Sequence, residues 1–158
     1  MRRAIELALL AEREGNLPVG VVITLEGELV AEGRSAIWVP RFDATRHAEM
    51  EALRAVPPDI WHLSEEMSIY TTLEPCLMCY GAIILNRINK IVYAYEDVMG
   101  GGTGCDRTTL NPLYQKPRIT IVPNVMRHES LTLLRNYFSN PEINYWKGSL
   151  LAKYTLDQ

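Results

Sequence analysis

The first thirteen residues repeat apolar positions at helical spacing. Ala4, Leu7, Ala8 and Ala11 fall on one stripe, which predicts a helix over residues 2–13. Gly15-Asn16 ends it, because both residues tolerate the left-handed backbone. The period then changes. Pro18 is followed by the mostly β-branched run Val19-Gly20-Val21-Val22-Ile23, Glu26-Gly27 marks a turn, and Leu29 to Glu32 reads as a return strand. The two strands should form a hairpin. Residues 35–45 are mixed in character, contain Pro40 and read as loop. A helix is expected from about His47 to Val56, capped by Asp43 or Thr45 and stopped by Pro57-Pro58. Its apolar face is Ala48, Ala52, Ala55 and Val56.

A polar connection containing His62 leads to a third strand, Met67 to Leu73. Pro75 suits the first position of the next helix, where its missing N–H costs nothing. Tyr80 to Leu85 is apolar almost all round, which predicts deep burial. Ile91 to Tyr95 reads as a fourth strand and Arg118 to Val122 as a short fifth. Between them, Gly100-Gly101-Gly102-Thr103-Gly104 lacks the Lys-Ser/Thr ending of a P-loop and does not fit G-x-G-x-x-G. It reads as a tight turn or a site-lining loop. Leu131, Leu134 and Phe138 are spaced for a helix broken by Asn140-Pro141, and Tyr145 to Tyr154 for a last short one. No repeat or linker divides the chain, and 158 residues suit one domain over 1–158.

Composition excludes several classes. No apolar run approaches the roughly 20 residues of a membrane span, and no apolar core follows the two N-terminal arginines, so neither membrane insertion nor a signal peptide is expected. A net charge of −3 gives no global attraction to nucleic acid, which leaves only a local basic face open. Cys76, Cys79 and Cys105 are odd in number and include a close pair. That argues against a disulfide framework and for a reducing, cytoplasmic setting.

The chemistry lies in His47-Ala48-Glu49 and Pro75-Cys76-Leu77-Met78-Cys79, an H-x-E…P-C-x-x-C pattern with 29 residues from His47 to Cys76. That spacing holds one helix, a connection and one strand, so it predicts two helix starts meeting at one end of a sheet. His47, Cys76 and Cys79 offer the nitrogen and sulfur donors zinc prefers, with one tetrahedral position left for water. Cysteines at i and i+3 share a helix face, and a helix N-terminus favours their ionised form. Glu49 is placed to move protons between water, a ring nitrogen and a departing amine. Residues i and i+2 of a helix point roughly 200° apart, so His47 and Glu49 converge only if His47 stands at the helix edge.

Other readings of the same residues stay open. The cysteines would also suit a closed structural zinc site with Cys105 as a further ligand, or a redox pair. His62 and His128 read as surface or satisfied polar residues and Cys105 as a free thiol near a loop. Trp38, Trp61 and Trp146 read as core or interface residues, with a pocket wall as a second role for Trp38.

On these motifs the chain resembles the cytidine deaminase-like superfamily over roughly residues 4–98. The resemblance rests on Gly15-Asn16-Leu17-Pro18-Val19-Gly20, the His47-Ala48-Glu49 block and Leu73 to Cys79. Thr71 to Cys79, with Gly81-Ala82 and Asn86-Arg87-Ile88, is especially similar to the tRNA adenosine deaminase branch. Guanine deaminases and fungal-type cytosine deaminases share much of it. The resemblance implies an α/β fold, a three-layer α/β/α sandwich around a central mixed five-stranded sheet, and commonly a homodimer. It implies zinc on His47, Cys76 and Cys79, with Glu49 as proton shuttle. The Ala48 N–H would face the base, and the backbone around Glu74-Pro75 would meet the leaving amino group.

The implied reaction is hydrolytic deamination of a nucleobase, carried by a small molecule or by tRNA. An inactive nucleic-acid-binding or assembly module on the same fold is the alternative. Two departures bear on the substrate. Where many relatives place an Asn that bonds the base, this chain has Ser35. Leu131 to Gln158 also has only Arg135, Lys147 and Lys153 as basic residues, where a tRNA-binding relative would end in a basic helix. Tyr137, Tyr145, Trp146 and Tyr154 either close over a small base or pack the last helices.

Overall fold

The computed structural model describes residues 1–158. Its N-terminal helix α1 (Arg2–Arg13) buries Ala4, Leu7, Ala8 and Ala11, the stripe read from the sequence. Strands β1 (Gly20–Leu25) and β2 (Glu28–Arg34) form the hairpin and pair antiparallel. The polar connection winds into 3-10 turns over Pro58–Glu66. Strand β3 (Met67–Leu73) then runs antiparallel to β1 on the side away from β2. Strands β4 (Lys90–Tyr95) and β5 (Thr120–Val122) add in parallel, giving the order β2-β1-β3-β4-β5. A parallel pair needs a crossover. Between β3 and β4 that crossover is α3 (Leu77–Leu85).

Helices cover both faces, as the fold class requires. Helix α1 packs on β1 beside α5 (Arg127–Ser139), and α2 (Ala48–Ala55) packs on β2 beside α3. Two glycines set how closely the helices approach. Side chains alternate across a strand, and Gly20 faces α1, where an added Cβ would lie 2.0 Å from the Ala4 carbonyl oxygen. Gly33, on the other face, would put a Cβ 2.2 Å from the Ala48 carbonyl oxygen at the first turn of α2. The core between these layers includes Ile69, Ile83, Ile91 and Leu134, all fully buried.

Several expectations are corrected. Neither Asp43 nor Thr45 caps α2: the N-cap is His47, and the Asp43 carboxylate accepts the N–H and O–H of Thr45 within a turn. Pro75 is outside α3, whose N-cap is Cys76. Residues 75–76 are kept extended because Cys76 bridges to Gly101 and the Pro75 carbonyl accepts the Gly102 N–H at 2.8 Å. Helix α3 is not buried all round, since Leu77, Met78 and Leu85 stand exposed on its outer side. Strand β5 starts at Thr120 rather than Arg118. The last helix, α6 (Leu150–Leu156), starts at the Ser149 cap, whose hydroxyl accepts the Ala152 N–H at 3.1 Å, rather than at Tyr145. One further short helix, α4 (Pro112–Gln115), was not anticipated.

Candidate metal centre and base pocket

Helices α2 and α3 begin beside each other at the C-terminal ends of β3 and β4, and their N-caps are His47 and Cys76. Both caps have extended backbone, so their side chains reach past the helix ends. His47 therefore stands at the edge that the i, i+2 geometry demands, while Glu49 lies inside the first turn. The donor atoms of His47, Cys76 and Cys79 all lie within 4.8 Å of one another. The Cys76 sulfur is 3.6 Å from His47 Nδ1. Cys76 precedes the helix rather than sharing a face with Cys79, yet the two sulfurs still converge.

Electrostatics suit a cation. Hydrogen bonds from Cys79 and His47 pull the Cys76 thiol down to about 4, against the opposing effect of burial. Cys76 and burial together push Cys79 up, and the hydrogen bond to Cys76 raises His47. The two thiols thus oppose each other's ionisation, and a cation between them would favour the thiolate form of both. Cys105 is not in this cluster, so the donor set is the three-residue one of an open catalytic site rather than a closed four-ligand one. Glu49 is buried beside it, and desolvation lifts its carboxyl to about 7.

A cavity of about 30 Å³ opens onto these residues. Its walls include Ser35, Ala48, Glu74, Asp97 and Trp146 along with His47, Glu49 and Cys76. Ser35 is almost fully buried and its hydroxyl has no partner. Ala48 is the first residue of α2, so its N–H has no acceptor in the helix. Glu74 accepts the Asp97 N–H and both the N–H and O–H of Thr103, which ties the glycine-rich loop to the site. Gly101 has to be glycine there, since a Cβ would meet the Glu74 carboxyl at 2.5 Å. Pro75 does not line the cavity.

Among the aromatic candidates only Trp146 reaches the cavity. Tyr145 stacks on Trp146 and meets the edge of Trp38, while Tyr137 is buried in the core and the Tyr154 hydroxyl bonds Glu96. Trp38 is therefore a second layer, not a wall. Two contributors were not picked out from the sequence. Asp97 stands two residues beyond β4, and its Oδ1 accepts the N–H groups of Met99 and Gly100, while burial raises its carboxyl. The signal available was its place after a strand end, where open α/β sheets put ligands. The Asn16 side-chain oxygen accepts the Trp38 N–H at 2.8 Å and so fixes the loop before His47.

A mixed five-stranded sheet with two helix starts around a His-Cys-Cys cluster defines a zinc-dependent deaminase. The chain belongs to the family of the cytidine and deoxycytidylate deaminase zinc-binding region, whose model matches residues 1–95. It is 35% identical to a tRNA-specific adenosine deaminase of Bacillus subtilis, over 87% of this chain and 86% of that protein. A structure from studies of A-to-I editing by tRNA:A34 deaminases superposes with a TM-score of 0.70 at 27% identity, covering 84% of this chain and 96% of that one. A guanine deaminase from Bacillus subtilis superposes with a TM-score of 0.54 at 35% identity, covering 60% and 61%. The chain is accordingly an enzyme that hydrolytically converts a nucleobase amino group to a carbonyl with release of ammonia, and its cofactor is zinc. The inactive-module alternative is not favoured. No helix is long and apolar enough to cross a membrane.

Proposed function

We propose that residues 1–158 act as one deaminase domain on a small nucleobase substrate, a free base or nucleoside, in the cytoplasm. The observation that carries this reading is the wall made by Trp146. It comes from the C-terminal segment and narrows the cavity to the room of one or two waters, so a base enters as that segment shifts and then lies under the indole. No Lys or Arg is among the lining residues, whereas three carboxylates are: Glu49, Glu74 and Asp97. A phosphate-bearing strand would find no countercharge at the mouth.

In this reading His47, Cys76 and Cys79 would hold zinc, which would supply Lewis acidity to activate water near neutral pH. Glu49 takes the first proton of the attacking water and passes it to the ring nitrogen; it then takes the proton of the new hydroxyl and hands it to the amine, which leaves as ammonia while the carbonyl forms. Its buried carboxyl, poised at about 7, suits a group that must both accept and give. The Ala48 N–H and the Ser35 hydroxyl orient the base, and the backbone at Glu74 meets the leaving amino group. Glu74 also keeps Asp97 at the cavity wall. The exposed Leu77 and Met78 on α3 form an apolar face that a second copy of the chain would cover, giving a homodimer.

A second reading, tRNA adenosine, is supported by the 35% identity to a tRNA-specific adenosine deaminase. An ammonia-release screen over free bases, nucleosides, nucleotides and tRNA separates the two. Turnover of a base or nucleoside with none on tRNA is the expected result. Turnover on tRNA alone would overturn the small-substrate reading.

A further inference from the structure

A second concave surface opens at the opposite end of the strands, a groove of about 690 Å³. It is reached from the N-terminal side of β4, whereas Asp97 and the metal centre lie beyond its C-terminal end. Six residues of extended strand put the two about 20 Å apart, so no single base fills both.

The groove is cationic in a chain whose net charge is −3. Arg87, Lys116 and Arg118 line it against one carboxylate, Glu65, which pairs with Arg87. That leaves two cations without a partner in the groove and a local potential opposite in sign to the whole molecule. The rest of the wall is largely apolar, with Leu85 from the end of α3 and Leu113 from α4. The cationic segment is also held in place. One Arg107 nitrogen, Nη1, donates to the carbonyls of Tyr114 at 3.0 Å and Pro117 at 2.8 Å, on either side of Lys116. Beyond Arg118, the Thr120 N–H donates to the Asn89 carbonyl at 2.8 Å.

Guanidinium and ammonium groups favour phosphate oxygens, and an apolar wall beside them suits a sugar and base more than a bare ion. We propose that this groove binds the phosphate end of a nucleotide, as a site separate from the deaminase centre. Inorganic phosphate should bind more weakly than a mononucleotide, because it leaves the Leu85 and Leu113 side unused. Exposed charges are screened by salt, so affinity should fall as ionic strength rises.

The test is titration calorimetry of the full chain with inorganic phosphate, AMP and a single-stranded oligouridylate. AMP should bind with a Kd below about 1 mM at low salt, that is, by more than about 4 kcal/mol. The double variant Lys116→Glu with Arg118→Glu, both exposed, should weaken this at least tenfold while leaving Tm and ammonia release unchanged. Oligouridylate binding tighter than AMP, and lost in the same variant, would assign the phosphate to a strand rather than a free nucleotide and would support the site. Absence of binding by all three probes would overturn the proposal. So would undiminished binding in the variant, which would move the contact to the deaminase cavity. The readout is binding, so it does not depend on which substrate is deaminated.

Discussion

Residues 1–95 hold four of the five strands and both helix starts at the metal centre. Residues 96–158 add one three-residue strand and three left-handed non-glycine residues, Asn124, Met126 and Trp146. The two parts are also held differently. In the first, helices lie against strands at contact distance, through Gly20 and Gly33, so geometry is set by backbone packing. The second packs Leu134 and Leu151 into the same core and adds long-range polar contacts. Arg127 Nε donates to Glu96 at 2.8 Å, the Tyr154 hydroxyl to Glu96 at 2.7 Å, and the Ser130 hydroxyl to the Thr72 carbonyl at 2.6 Å. The first, packed part brings the three metal donors within 4.8 Å of one another. The metal donors and Glu49 lie in the part that matches the family model, whereas Asp97 and Trp146 reach the cavity from the part that does not.

The largest effect should come from disturbing the packed part. Gly33→Ala drives a methyl into the first turn of α2, where neither backbone can yield without shifting Ala48 and its neighbour His47. A loss of about 3 kcal/mol is expected, seen as a Tm lower by about 10 °C together with weaker zinc retention. An unchanged Tm would show that the helix does not rest on this glycine.

A smaller effect should follow from cutting the polar contacts. Hydrogen bonds from Arg127 and Tyr154 outweigh burial and hold the Glu96 carboxyl down at about 2, below the usual carboxylate range. A carboxyl depressed in the folded state adds stability above its unfolded pKa and loses it as pH falls toward the folded one. Glu96→Gln should therefore cost about 2 kcal/mol at pH 7, discounted for partial exposure. The gap between variant and parent should narrow below about pH 4.5 and close near pH 2. Denaturant melts across pH measure it, and a gap independent of pH would remove Glu96 from the account.

The smallest should be Trp146→Ala. Losing the indole over the base should lower kcat/KM on a free base by about tenfold through KM, with zinc content unchanged. An unchanged KM would mean that the wall does not touch substrate.

The same contrast explains what could be read in advance. The stripe of Ala4, Leu7, Ala8 and Ala11, the β-branched run after Pro18 and the strand Met67–Leu73 were legible because each follows one local period. So was the convergence of His47, Cys76 and Cys79, since a short motif carries its own helix-edge geometry. Other features depend on partners distant in sequence. Pro75 stays out of α3 because Gly101 and Gly102 bond residues 75 and 76. Asp97 becomes a cavity wall because Glu74 takes its N–H. Trp146 reaches the cavity while Tyr137 and Tyr154 do not, which no spacing within residues 131–158 distinguishes. The exposed side of α3 was unreadable for another reason: an apolar helix face left in solvent has the same residues as a buried one.

The account turns on Glu49 moving protons without holding the metal. Glu49→Gln keeps the size of the side chain and removes its ability to accept a proton. Zinc content and ammonia release, measured on the same preparation, test this directly. The expected result is one zinc per chain with turnover lower by about 10³-fold. Ammonia release near the parent rate, or loss of the zinc, would contradict it.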